Sequence, residues 1–380
     1  MSIITVGTGK QFAKIASAVA AAHSGDTIQV QAGTYTNDFL SITKSLTLQA
    51  VNGEVKMVEN VSPPNGKAMI VAGVKGTGMT ITINGFDISG VKVPDANGAA
   101  IRYEGGNLSL NNVYFHNNQE GLLAGSDATG SISIDHSEFA FNGDGSGYTH
   151  NLYVNHIANL SVTNSYFHDV KEGHEIKSRA ANNTITGNRI FDLTSTSSYS
   201  IDLPNAGNAT ISGNIIEQGR NGHNPNIIAY GEEGASNTGR TLKIAGNTVV
   251  NDLLSTSSRL LMNRSTALPS FTNNKIWGLT LAQLSNVPMA SSDTVLLTSR
   301  PSLDTAPLTF INPTVSSTTS TLAAPSLSST SMGLADLSPQ STPSAGSWTT
   351  SMTAGIAPGS WIPEMSTHYA IAGNESGASS

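Results

Sequence analysis

Between residues 172 and 179 the chain places Glu172, His174, Glu175, Lys177 and Arg179, although charged residues make up only 12% of the whole. Proton donors, proton acceptors and fixed cations at this density are the parts of acid–base chemistry on a polar or anionic substrate. His150 and Tyr153 come before the cluster, Asp202 and Tyr230 after it, at the roughly 20- to 50-residue interval of a repeat protein. A carboxylate-only reading pairs Asp202 with Glu175, since two carboxyl groups about 5 to 9.5 Å apart hydrolyse glycosides. A metal held by His150, His174 and Asp202 is disfavoured, because Lys177 and Arg179 repel a cation. With no cysteine in 380 residues, Cys nucleophiles, thiolate zinc sites and iron–sulfur clusters are excluded.

The elements that must position these groups are visible as repeats. LSLNNVYF, ISIDHSEF, LSVTNSYF, NTITGNRI, ATISGNII, LKIAGNTV and SFTNNKI each carry an apolar-x-apolar triplet and a small polar turn. Their anchors are Leu110, Ile134, Val162, Ile185, Ile211, Ile244 and Phe271, with weaker copies at Leu48 and Ile83. Period-two alternation with β-branched residues predicts short strands, one set per coil of a β-solenoid. Asn188, Asn214, Asn247 and Asn274 share one turn position and predict an axial asparagine ladder. A second strand per coil appears as GLLAG, NLYVN, EIKSR, SIDLP, NIIAY and RLLMN. With Leu152, Ile176 and Ile201 inward, alternation sends Asn151, Tyr153, Asn155, Glu175, Lys177, Arg179 and Asp202 outward. Tyr153, Lys177 and Asp202 then form one column, shared with Leu123, Ile228 and Leu261. His150, His174 and Tyr199 form another, with Tyr148 in the loop before it. The next coil adds Asn226 and Tyr230, and the loop beyond adds Glu232 and Glu233.

The predicted organisation is a solenoid over residues 1–280 and a Ser/Thr/Ala/Pro-rich segment over 281–380, part solenoid cap and part flexible tail. An Ala-rich amphipathic helix between Phe12 and His23 caps the open N-terminal end. The net charge of −7, without a basic run, argues against nucleic acid as a partner. No 18-residue apolar stretch predicts a membrane span, and no basic and apolar N-terminal signal stands in the chain as written. Oligomeric state is not legible.

Through TVGTGKQFAKI, GDTIQVQAGTY and YFHDVKEGHEIKSRAANNTITGNRI, residues 3 to 280 resemble the pectate-lyase-like superfamily of right-handed parallel β-helix proteins. EGHEIKSRAANNT is also similar to the Lys-Ser stretch of alginate lyases and chondroitinase B. The resemblance implies an all-β, right-handed parallel β-helix acting on an acidic polysaccharide outside the cell, reached by a route without an N-terminal signal or with that signal removed. It makes Lys177 the base, and Glu172, Glu175 and Asn151 the ligands of a calcium ion. Where that family has an arginine on the next coil, this chain has SIDLPNAG, leaving Arg179 to substitute.

Elimination from a uronate needs a base for the C5 proton, neutralisation of the carboxylate and an acid for the leaving oxygen. Lys177, Arg179 or calcium, and Tyr153 or His150 would supply these, with His174 and Asp202 beside them. Tyr148, Asn155, Tyr199, Asn226, Tyr230 and Glu232 would line the glycan. The same parts suit a C5-epimerase. The alternatives are the hydrolase of Asp202 and Glu175 and a non-catalytic glycan-binding adhesin or fibre.

Overall fold

The apolar anchors decide the architecture, because each finds its equivalent directly above and below. In the computed structural model, which describes residues 1–309, Leu48, Ile83 and Leu110 pair in register, and Leu110 continues through Ile134, Val162, Ile185, Ile211, Ile244 and Phe271. Every pairing between strands is parallel, and two sheets of 21 and nine strands result among the described residues. The larger sheet takes two strands from most coils, such as Ile157–Thr163 and Tyr166–His168; the smaller takes one, such as Ile176–Ser178. This is a parallel β-helix.

Its interior is a set of like-on-like columns. Leu122, Leu152, Ile176, Ile201, Ile228 and Leu261 line the smaller sheet's inner face. Phe115, Phe139 and Phe167 stack inside the larger one, with ring centroids 5.2 and 4.7 Å apart. All are buried and belong to one apolar cluster.

The turns between strands are held by polar ladders. Asn188, Asn214 and Asn247 each take a backbone N–H and a carboxamide N–H onto the next coil's Asn Oδ1, ending on Asn274. Ser137 and Ser165 extend the column below it: Val113 N–H donates to Ser137 Oγ, and Ser137 N–H to Ser165 Oγ. The residue before each rung is left-handed: Asn112, His136, Asn164, Gly187, Gly213, Gly246 and Asn273 all have positive φ, which favours Gly and Asn there.

The capping helix is shorter than predicted, Ile15–Ala21, since Phe12 bridges to Val6 instead of joining it. Ile15, Ala18 and Val19 seal the core. Asp38 accepts the N–H groups of Ile15 and Ala16, and Lys44 Nζ donates to the carbonyls of Val19, Ala20 and Ala22. Both charges suit the helix dipole.

The ladders run past residue 280 to Ala290–Ser292 and Val295–Leu296. The chain then turns back along the larger sheet: Leu297 N–H bonds the Ile276 carbonyl, Arg300 pairs with Asp252, Asp304 with Arg189 at 3.2 Å, and Leu308 N–H reaches Glu138 Oε2. The flexible tail expected from the composition lies, from residue 310 on, outside the described residues. No helix among the described residues is long and apolar enough to cross a membrane.

Candidate functional site

The site is built on three neighbouring strands of the smaller sheet, Leu152–Val154, Ile176–Ser178 and Ile201–Leu203. Tyr153 pairs with Lys177 and Lys177 with Asp202, as strand alternation requires. Leu123 shares this outer column, but Ile228 and Leu261 do not. Ala229 and Met262 continue it, while Ile228 and Leu261 face the core one position away.

Lys177 is 6% exposed. Its Nζ lies 3.2 Å from Asp202 Oδ2 and 3.1 Å from Glu233 Oε1. Burial opposes its charge, but Asp202 and Glu233 outweigh burial and hold the ammonium above its ordinary pKa. The expected base is therefore a cation. Arg179 pairs with Glu233, donates from Nε to Tyr153 Oη at 3.0 Å and from an Nη to Asn205 Oδ1 at 2.8 Å. Glu233 thus bridges both cations, and their charges hold its carboxyl below the usual range against the opposing effect of burial. Asp202 goes the other way: burial raises it, despite Lys177 and Arg179.

His150 and His174 stack with ring centroids 4.7 Å apart. Glu120 Oε2 accepts the His150 N–H, His150 Nδ1 accepts the His174 N–H, and His174 Nδ1 accepts the Tyr199 N–H. Each imidazole so held carries its proton on Nε2, and His174 Nε2 lies 3.5 Å from Asp202 Oδ2. Burial first, with Lys177 adding to it, keeps both rings well below the ordinary histidine pKa. They are neutral hydrogen-bond donors, not bases. Tyr199 borders His174, its hydroxyl pushed up to about 12 by burial.

Several predicted residues lie elsewhere. Asn151 and Glu175 were expected to face outward, but the coil corner before each strand interrupts the alternation and turns both inward. Asn118, Asn142 and Asn151 form an amide chain whose last Nδ2 donates to Glu175 Oε2, while Glu175 Oε1 accepts the Val170 N–H. Glu175 is fully buried, and burial raises its carboxyl well above the normal range. It belongs to the scaffold, so the Asp202–Glu175 carboxylate pair does not form. Glu172 stands apart from it, half-buried and 3.8 Å from His223. With both Glu175 oxygens and the Asn151 amide engaged in the ladder, Glu172, Glu175 and Asn151 do not fit a calcium ion. Among the described residues no three His, Cys, Asp or Glu are grouped to hold a metal.

Tyr230 is also a correction. Its place in the register, beside Leu203, turns it into the core, where its hydroxyl donates to the Gly207 carbonyl. Asn226 is partly buried and bonds Asn224; Glu232 pairs with Arg264 at 3.4 Å; Asn155 Oδ1 accepts its neighbour's N–H. Tyr148 is 65% exposed in the loop leading to His150. The residue underrated by sequence reasoning is Glu233: its loop follows no period, and only its nearness to the second strand marked it.

No protein-family model and no curated protein matches the chain. Among solved structures it is similar to pectate lyase Pel9A, with 13% identity and a TM-score of 0.48 over 78% of each chain. It is similar to a PL6 family alginate lyase, AlyGC, with 15% identity and a TM-score of 0.41 over 78% of this chain and 40% of that one. The A-module of Azotobacter vinelandii mannuronan C-5 epimerase AlgE6 gives 12% and 0.34 over 75% of this chain and 94% of that one. On its own strand registers, the chain has a parallel β-helix architecture.

Proposed function

We propose that the chain cleaves an acidic, uronate-containing polysaccharide by β-elimination, and that it does so outside the cell, where such polymers lie. The observation that carries this reading is the pair of fixed cations, Lys177 and Arg179, flanked by the carboxyls of Asp202 and Glu233 and by the Tyr153 hydroxyl. Lys177 and Arg179 neutralise the substrate carboxylate and so stabilise the enolate-like state that forms when C5 loses its proton. Asp202, the carboxylate whose basicity burial raises, takes that proton. The C4–O bond breaks as the C4–C5 double bond forms, and Tyr153 gives its proton to the leaving oxygen. Neutral His174 and the Lys177 ammonium orient Asp202 throughout.

The opposite shifts of Asp202 and Glu233 favour a second reading, glycoside hydrolysis, in which one carboxyl is the acid and the other the base or nucleophile. Polygalacturonate and alginate, with neutral glycans alongside, separate the two. Elimination yields ultraviolet-absorbing unsaturated ends in step with new reducing ends. Hydrolysis yields reducing ends alone, and absence of cleavage on every glycan removes both readings.

A further inference from the structure

We infer that the Glu233 carboxylate occupies the place of the substrate's own carboxylate, and that it sets the affinity of the site for acidic sugars by competing with them. The inference rests on the β-elimination reading. On that reading Lys177 and Arg179 neutralise the uronate, and in the free protein Glu233 already spans both.

The local charges close without a ligand: Lys177 and Arg179 are balanced by Asp202 and Glu233, while His150 and His174 are neutral. A second carboxylate entering this partly desolvated group would leave it one negative charge in excess, which is costly at low effective dielectric. Asp202 is not the one to leave, since it is almost wholly buried in the sheet between Lys177 and His174. Glu233 is placed to do so. It sits in the loop after the strand Asn226–Tyr230, between Gly231 and Gly234, both left-handed, and retains some exposure.

Its backbone does not need to move. Glu233 N–H donates to the Pro204 carbonyl at 2.9 Å, Gly231 N–H to the Leu203 carbonyl, and Asn237 Nδ2 ties the loop to the Ala180 and Ala206 carbonyls. Rotation of the Glu233 side chain alone carries its carboxylate from the cations into water. The uronate carboxylate then takes over both cations, the charge balance is restored, and Lys177 remains an ammonium. A neutral sugar supplies no such replacement, so for it Glu233 stays in place. The exchange makes the site selective for carboxylate sugars and keeps that affinity modest.

Calorimetric titration with galacturonate and mannuronate, which have no glycosidic bond to cleave, and with galactose and mannose as neutral controls, tests this. Glu233→Gln removes the competitor's charge while keeping its shape. It is expected to bind the uronates about tenfold more tightly than the wild type, the scale of one partly screened ion pair, with the neutral sugars unchanged. Wild-type binding of a uronate with no tightening in Glu233→Gln overturns the inference. Should Glu233→Gln lose its fold, Glu233→Asp decides: the shorter arm spans the cations less well, so tighter uronate binding supports the exchange and weaker binding overturns it. If neither protein binds a uronate and no uronate polymer yields unsaturated product, the elimination reading itself fails.

Discussion

Lys177 is an ammonium because two carboxylates face it, and its variants should differ from those of Asp202 accordingly. Asp202→Asn removes the proposed base and is expected to lower kcat by about 10²- to 10⁴-fold with little change in KM. Lys177→Met removes half of the proposed carboxylate clamp and should raise KM as well as lower kcat; initial rates over a range of polymer concentrations distinguish the two. If Asp202→Asn keeps full turnover, the base has been assigned to the wrong residue. Phe141 is left-handed and exposed, in a turn that one coil earlier uses Asn117 with nearly the same φ. Phe141→Asn should therefore stabilise the protein by roughly 0.5–1 kcal/mol, read as a higher midpoint in urea. At this scale the column Tyr153–Lys177–Asp202 was legible, because a parallel solenoid sets equal strand positions side by side. Asn151 and Glu175 were misread because alternation holds within a strand and not through the corner that precedes it. Tyr230 was misread because Ile228, two residues before it in the same strand, was set in the outer column; register with Ile201 and Leu203 turns both Ile228 and Tyr230 inward.

Ladders are the elements on which the coils depend, and each asparagine rung is a buried amide with partners on both sides. Asn214→Ala leaves the Ile185 carbonyl and the Asn188 donors without their partner and should cost about 1–3 kcal/mol. Asp38→Ala, which uncovers the first N–H groups of the capping helix, should cost about 0.5–2 kcal/mol. A more specific signature comes from Asp192, buried in a turn, where it accepts the Gly219 N–H. Burial pushes its carboxyl up to about 7. An acid raised in the folded state binds its proton more tightly folded than unfolded, so its contribution is fully present below about pH 4 and is lost as pH rises through 7. Asp192→Asn should accordingly gain stability relative to the wild type over that interval, and parallel melting curves at pH 4 and 8 test it. If the difference between the two proteins does not change with pH, the carboxyl titrates normally. The asparagine rungs could be seen in the sequence through their equal offsets from the anchors. The serine rungs could not, since a serine in a turn has many other uses, and the histidine column shows its tautomers only once backbone N–H groups are placed beside Nδ1.

At the scale of the described molecule, the two sheets carry different attachments. The site's charges lie on the smaller sheet and its loops, whereas the returning segment from Leu297 to Leu308 is fastened to the larger one through Asp252, Arg189 and Glu138. Arg300→Ala combined with Asp304→Ala should accelerate amide exchange along this segment and leave the proposed uronate binding at Lys177 unchanged; loss of that binding would show the two faces to be coupled. The helix was predictable as a whole because its period is written into the anchors, but its C-terminal reach was not, since Ala290–Ser292 and Val295–Leu296 continue the ladder with residues that carry no anchor pattern. One consequence follows from the like-on-like columns. Each coil pairs its strands only with the coil before and the coil after it, and those far from Asp202 contribute no side chain to the charged cluster. Gain or loss of a coil-sized segment of the gene can therefore lengthen or shorten the surface that the proposed polymer substrate would meet while the charged cluster stays in register. The reach of such a protein and its chemistry can be inherited independently.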